Sequence, residues 1–431
     1  MHWDAGVHGA ATPMSFGFRN PFKKLSKQMT RHLAAASPSR AVHGLPIAVD
    51  FGVGSLKVLQ VTSEATLPLV AAACLETPAD LWTNHTKRLE FQLEALPKLI
   101  RHGGFKGKRA VCAIPSWSVV CKHLQFPKHD GVEVEDLVAA AVPVQLQCDP
   151  SAVVYRYFEV EGAKTGGKTE VAVIATPREV VDRLMRGLMQ AKLEPVGMHT
   201  EFSALLRAFD AVRRREGDQL VATLYLDIGA SSTSVLIAHG PAMAFARVIG
   251  VGGVHFDAAV MKQLKCGEEE ARQARMTAGR AVSVAMREAS PVAAGAPLGG
   301  HIGEERRGEE RTMPGFSAEF MSQPLAGFNP EGVDLSEPLE MLTDEVSMCL
   351  RYHAAQFPEM KVERAVFVGG EARSLGLCQR VAQALKVSAQ MADPLARVGR
   401  TGGEPALGID MKQAQPGWCV PLGLCLSPTD L

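Results

Sequence analysis

Two short stretches of this chain carry residue types that handle phosphate and a divalent cation, in the same order. Ile47-Ala-Val-Asp50-Phe-Gly52-Val-Gly54-Ser55-Leu-Lys57-Val-Leu59 aligns with Leu224-Tyr-Leu-Asp227-Ile-Gly229-Ala-Ser231-Ser232-Thr233-Ser234-Val-Leu236 at a constant offset of 177 residues. Glycines such as Gly52, Gly54 and Gly229 let backbone N–H groups approach phosphate oxygens, because no Cβ stands in the way. Ser55, Ser231, Ser232 and Thr233 offer hydroxyls, and Lys57 brings a positive charge suited to a terminal phosphate. Asp50 and Asp227, each at a strand end, suit a hydrated Mg²⁺, which keeps several waters and takes few carboxylates. They are also the two side chains available to polarise an attacking water. One Asp-x-Gly followed by small residues is ordinarily only a tight turn. Two in matched register point to a duplicated device that clamps a triphosphate.

The elements that position these residues follow from the same pattern. Each copy is an apolar run, a small-residue turn and a second apolar run, which predicts a β-hairpin. Duplicated hairpins imply duplicated domains. Two glycine pairs then stand between a strand-like run and a helical one. Gly369 and Gly370 follow Val366-Phe-Val and precede a helix over Leu375 to Leu385, and Gly252 and Gly253 precede a helix over Phe256 to Leu264. Bare backbone there can face a base or ribose, or can let a helix pack closely on a strand. Elsewhere strands are expected at Ala110–Ile114 and Val119–Phe126 and a helix at Leu89–Arg101, an α/β alternation with two-sided burial.

Composition excludes several classes. The 46 Lys and Arg balance the 46 Asp and Glu, so no overall field draws the 431-residue chain to nucleic acid. The nine cysteines are odd in number, scattered and without a C-x-x-C pair, which argues for reduced thiols rather than a disulfide frame or zinc site. No apolar run reaches bilayer-spanning length and no compact signal peptide opens the chain. Residues 1–44 read as a poorly ordered extension. Within it Phe22, Leu25, Met29 and Leu33 share one side of a short basic helical pattern, more in keeping with a frayed helix than a membrane anchor. Residues 289–338, rich in Pro, Gly and charge runs, read as a flexible insertion.

In the order hairpin, hairpin, strand-Gly-Gly-helix, the chain resembles the actin and chaperone-type ATPase superfamily. Within that superfamily it is similar to the PilM family of type IV pilus assembly proteins, relatives of the division protein FtsA. The likeness extends to Ala110-Val-Cys-Ala-Ile-Pro115-Ser116, Leu124-Gln-Phe-Pro127 and Asp149-Pro150 with Tyr155-Arg-Tyr157. It implies an α/β, two-lobed actin-like ATPase fold of duplicated ribonuclease-H-like domains, with a subdomain inserted in the first lobe. The expected division is lobe 1 over 45–220, its insert at about 119–196, and lobe 2 over 221–425. The resemblance also implies ATP and Mg²⁺ between the lobes, with Gly52, Gly54, Ser55, Lys57, Gly229, Ser231, Ser232, Thr233, Gly252, Gly253, Gly369 and Gly370 around the nucleotide. On the helix where such proteins carry Glu-x-x-Lys toward the ribose and base, this chain has Arg272 and Arg275. Ser234 stands where the first hairpin has Lys57.

The implied role is a cytoplasmic scaffold for assembly of a type IV pilus or a related secretion machinery, peripheral to the inner membrane through a partner. It would bind the N-terminal cytoplasmic peptide of a PilN-like inner-membrane protein beside the inserted subdomain, together with other pilus assembly proteins. Hydrolysis of ATP, if any, is expected to be slow. An FtsA-like filament protein and a small-molecule kinase share the same clamp and remain alternatives. The Walker-type match Gly162-Ala-Lys-Thr-Gly-Gly167-Lys168-Thr169 is followed by a strand-like run rather than a helix, so it reads as a hairpin loop. No G-x-S-x-G elbow or H-E-x-x-H is present, and His199, His239 and His255 read as separate structural histidines.

Overall fold

The computed structural model describes residues 44–127, 131–163, 166–210, 221–276 and 334–429. The expected N-terminal extension, apart from its last residue, and most of the expected insertion lie outside these residues.

A six-stranded sheet has the order β14-β3-β2-β1-β4-β8. Its strands are β1 (Ile47–Phe51), β2 (Ser55–Val61), β3 (Leu69–Glu76), β4 (Arg109–Ile114), β8 (Glu194–Thr200) and β14 (Ala406–Leu407). A five-stranded sheet, β11-β10-β9-β12-β13, comprises β9 (Ala222–Ile228), β10 (Thr233–His239), β11 (Ala242–Ile249), β12 (Val362–Val368) and β13 (Ser388–Met391). The two sheets repeat one plan: a central strand continued on one side by two strands in successive antiparallel pairing and on the other by two strands in parallel pairing. Asp50 pairs with Lys57 across β1 and β2, and Asp227 with Ser234 across β9 and β10, so the repeat read in the sequence is a repeat of register. Every residue of β1 is buried, as a central strand covered on both faces requires.

Helices α1 (His85–His102) and α3 (Arg178–Gln190) cover one face of the first sheet, burying Leu89, Leu96, Leu99, Leu184 and Leu188 with Val49, Val58 and Cys112. α1 starts at Asn84, whose side chain accepts the Lys87 N–H at 3.0 Å. A third sheet, β5-β7-β6, is formed by β5 (Val120–Pro127), β6 (Val153–Glu159) and β7 (Lys168–Pro177) and is covered on one face by α2 (Val134–Leu146). Its entrance and exit lie side by side, the Thr176 hydroxyl donating to Ser118 Oγ at 3.1 Å. The Walker-type match falls in the β6 to β7 connection and runs into β7, an antiparallel neighbour of β6. No helix N-terminus follows it.

α4 (Glu201–Asp210) leads toward the second sheet. That sheet is packed by α5 (Gly253–Leu264), a helical stretch over residues 268–276, α6 (Ser336–Gln356) and α7 (Leu375–Leu385), through Phe256, Val260, Leu342, Val346, Leu377 and Val381. α8 is Cys419–Cys425, every residue buried.

Three boundaries differ from expectation. The inserted subdomain ends with β7, because α3 packs into the first-lobe core and β8 pairs with β4. The last part of the chain, expected in lobe 2, returns to lobe 1. β14 pairs with β3, and Leu395, Trp418, Leu422 and Leu424 join Ala48, Leu59 and Val111 in one core. Residues 336–338, expected at the end of the insertion, are the first turn of α6, where Pro338 is tolerated because the first-turn N–H groups have no intrahelical acceptor.

Candidate functional site

The two hairpins meet. A Cβ placed on Gly54 would lie 3.8 Å from Ala230 Cβ and 3.3 Å from the Trp82 ring, so the tips of the two lobes stand in van der Waals range of each other. The first tip is braced from behind by Gln92 on α1, whose amide donates to Gly52 O at 2.7 Å and to Thr77 Oγ1 at 2.9 Å. The second closes on itself, Gly229 N–H donating to Ser232 O at 2.9 Å, and is held by α5, whose Gly253 N–H donates to Gly229 O at 3.0 Å.

Below the tips three carboxylates converge, two from the first lobe and one from the second. Asp50 is buried and its carboxylate lies 3.5 Å from Lys57 Nζ. Burial raises its pKa, and Lys57 pulls it back only in part. Asp227 is pushed up to about 6 by burial and by the charge of Asp50, against Lys57. Glu201, at the start of α4, is pushed up to about 8 by burial and by Asp227 and Asp50, although the Ser116 N–H donates to it at 2.9 Å. Carboxylates that repel one another while sharing a single lysine fit a cation more charged than a proton, and a hydrated Mg²⁺ is such a cation. Among the described residues no group of three or more His, Cys, Asp or Glu side chains is close enough to enclose a metal ion directly.

Gly52, Gly54, Ser55, Lys57, Gly229, Ser231 and Ser232 lie at or beside the tips, partly exposed. Gly369 abuts the floor. It takes φ +91°, and a Cβ on it would press on Ile228 O and Asp227 Oδ1. Gly370 beside it is open, with nothing within 4 Å of a Cβ position. Four expected ligand residues are turned to packing instead. Thr233 is fully buried and its hydroxyl donates to Val251 O at 2.7 Å. Gly252 lets the chain pass the second tip, since a Cβ there would sit 2.5 Å from Ser232 N. Gly253 makes room for the Glu371 side chain. Arg275 is 1% exposed and donates to Asp257 at 2.7 Å and Glu371 at 2.5 Å. Burial opposes its charge, yet Glu371 and Asp257 raise its pKa, and its Nη2 has no hydrogen-bond partner. Arg272 is partly exposed, with Asp257 at 3.4 Å, Glu268 at 3.1 Å and Glu269 at 3.4 Å.

Glu201 escaped the sequence reading because nothing local marks it. It opens an ordinary amphipathic helix, and only the third dimension brings it to the two aspartates. His239, expected to stand alone, has its Nε2 2.8 Å from that of His353, whose pKa burial lowers to about 4.

The sequence profile of type IV pilus assembly protein PilM matches residues 48–284, more than half of the chain. The chain belongs to the PilM family. The profile of cell division protein FtsA matches residues 224–407. Comparison with curated proteins returns no match. Among solved structures, a PilM-PilN type IV pilus biogenesis complex superposes with a TM-score of 0.63 at 21% identity, covering 90% of this chain and 98% of that one. EutJ, the ethanolamine utilization protein of Carboxydothermus hydrogenoformans, gives 0.45 at 14% identity, covering 94% and 99%. MreB5 of Spiroplasma citri bound to ADP gives 0.42 at 13%, covering 88% and 94%. The duplicated sheet plan described above, the PilM and FtsA profiles and the superposition on the PilM-PilN complex give this PilM-family chain the two-lobed actin-like ATPase fold, with a subdomain inserted in its first lobe. Among the described residues no helix is long and apolar enough to cross a membrane.

Proposed function

We propose that this PilM-family protein binds ATP with Mg²⁺ between its lobes and passes the state of that cleft to a membrane-protein partner. The observation that carries the reading is the close approach of the two hairpin tips at Gly54 and Ala230, together with the mutual electrostatic influence of Asp50, Asp227 and Glu201 from the two lobes. Backbone and hydroxyl groups of the tips and Lys57 would hold the phosphates. Asp50 and Asp227 would orient waters around the cation, which supplies the charge that neutralises the phosphates.

The partner we favour is the N-terminal cytoplasmic tail of a PilN-like inner-membrane protein, held beside the inserted subdomain and keeping this protein at the cytoplasmic face of that membrane. The family and the fold shared with a PilM-PilN complex support this. An extended tail is held by main-chain hydrogen bonds to strand edges and by side-chain pockets.

Calorimetric titration of MgATP into the wild type and into Asp50→Ala and Asp227→Ala tests the cleft. Wild-type binding weakened by roughly tenfold or more in both variants is expected, and equal binding by all three would remove the clamp. Capture of candidate tail peptides tests the partner. Replacing residues 119–175 by a short Gly-Ser linker should abolish capture, and retained capture would move the groove elsewhere. The linker is sterically simple because Ser118 and Thr176 are already hydrogen-bonded.

A further inference from the structure

One side-chain contact spans the cleft beside the hairpin tips. The Arg272 guanidinium, on the helical stretch over residues 268–276 of the second lobe, lies over the indole of Trp82 in the first, its Cζ 3.8 Å from the ring centroid. We propose that Trp82 and Arg272 form a clasp that sets how long a nucleotide stays in the cleft, an inference that rests on the nucleotide reading above.

Each half of the clasp is tied to the tip of its own lobe. Trp82 follows the short turn Ala79–Leu81, its indole N–H donates to Thr77 O at 2.9 Å, and its carbonyl accepts from Arg88 Nη1. Thr77 shares Gln92 with Gly52, and the Trp82 ring lies against Gly54, so indole and first tip form one body. Arg272 is anchored through Asp257 to α5, whose first residues bond the second tip at Gly229 and Ala230. The tips cannot part to admit or release a ligand unless the guanidinium leaves the ring.

The charges make this separation reversible. Arg272 keeps Asp257, Glu268 and Glu269 on its own lobe when the stack opens, so no charge is stranded. What is lost is the cation–π contact, whose strength at a largely desolvated ring corresponds to roughly three- to thirtyfold in an equilibrium or rate. That is enough to slow exchange and too little to lock the cleft.

The test uses the full chain as wild type, Trp82→Leu, Arg272→Gln and the double variant, each with its thermal melting recorded. Trp82→Met, apolar and without a ring, replaces the leucine variant if that one does not fold. The first readout is the release of a fluorescent N-methylanthraniloyl ATP with Mg²⁺, chased by unlabelled ATP in a stopped-flow instrument. Release should quicken roughly three- to thirtyfold in each single variant and no further in the double, because both substitutions remove the same contact. The second readout is amide hydrogen exchange over residues 52–55 and 229–232 without nucleotide, which should quicken in every variant. Unchanged release in both single variants, or effects that multiply in the double, would overturn the clasp. If the wild type takes up no nucleotide, the nucleotide reading fails separately. Hydrogen exchange then decides, and tips equally protected in wild type and variants would discard the contact between lobes as well.

Discussion

Glu201 and Asp227 face each other from opposite lobes with pKa values of about 8 and about 6, both above the range of free carboxylates. A carboxyl group whose pKa is raised on folding stabilises the folded state fully below its unfolded pKa, and that contribution is lost as pH rises through the folded pKa. For these two groups the window runs from about pH 4 to about 6 for Asp227 and to about 8 for Glu201. Without a divalent cation, wild-type stability should therefore fall across this range. Glu201→Gln, which keeps an acceptor for the Ser116 N–H, should flatten the upper part of the fall. Urea denaturation at pH 5, 7 and 8.5 on both proteins measures it. A wild-type slope that survives the substitution would mean the charge of Glu201 is not what drives it. Mg²⁺ should offset the loss, because a cation favours the ionised cluster.

At the scale of elements, the glycines divide into those that leave space and those that are overlaid by other backbone. Gly252 has φ −157°, extended backbone open to any residue, so its requirement is purely steric. Gly252→Ala should push the second tip off α5 and cost roughly 1–3 kcal/mol, measurable by thermal melting, with MgATP binding weakened at the same time. Unchanged binding at lowered stability would show that the tip moves as a rigid unit. The same contrast marks what the sequence made legible. The hairpins, the α5 and α7 helices and the α/β class were written in local periodicity and in a repeat of register, and each is present. Whether a Gly-Gly pair serves a ligand or a close packing is not a local property. Gly252 and Gly369 become distinguishable from Gly370 only once it is known which backbone lies against them, the second hairpin tip for Gly252 and the end of β9 for Gly369. Thr233 looked like its neighbours Ser231 and Ser232, yet it is the first residue of β10, a strand buried on both faces, and its side chain goes to the interior.

Across the whole molecule, sequence order misleads where the chain doubles back. The subdomain boundary and the lobe boundary were both drawn by chain position, and both were displaced by long-range packing: α3 and β8 rejoin the first sheet, and β14 and α8 complete it. Leu395, Trp418, Leu422 and Leu424 are each no more than 2% exposed in that core. Burial of such a side chain contributes roughly 1.5–3 kcal/mol. A fragment of residues 44–210 alone should accordingly be insoluble or lack fixed tertiary packing by near-ultraviolet circular dichroism, and co-expression with a peptide of residues 394–429 should recover a folded complex. A well-packed fragment on its own would contradict this.

The return of the chain also orders events on the ribosome. The first lobe is synthesised first but cannot be finished until α8 has left the exit tunnel, so the second lobe has the opportunity to fold while the first still presents its unfilled face. Newly made chains would then need shielding by chaperones longest on the lobe made earliest, and a translation pause placed before residue 394 would prolong that exposure.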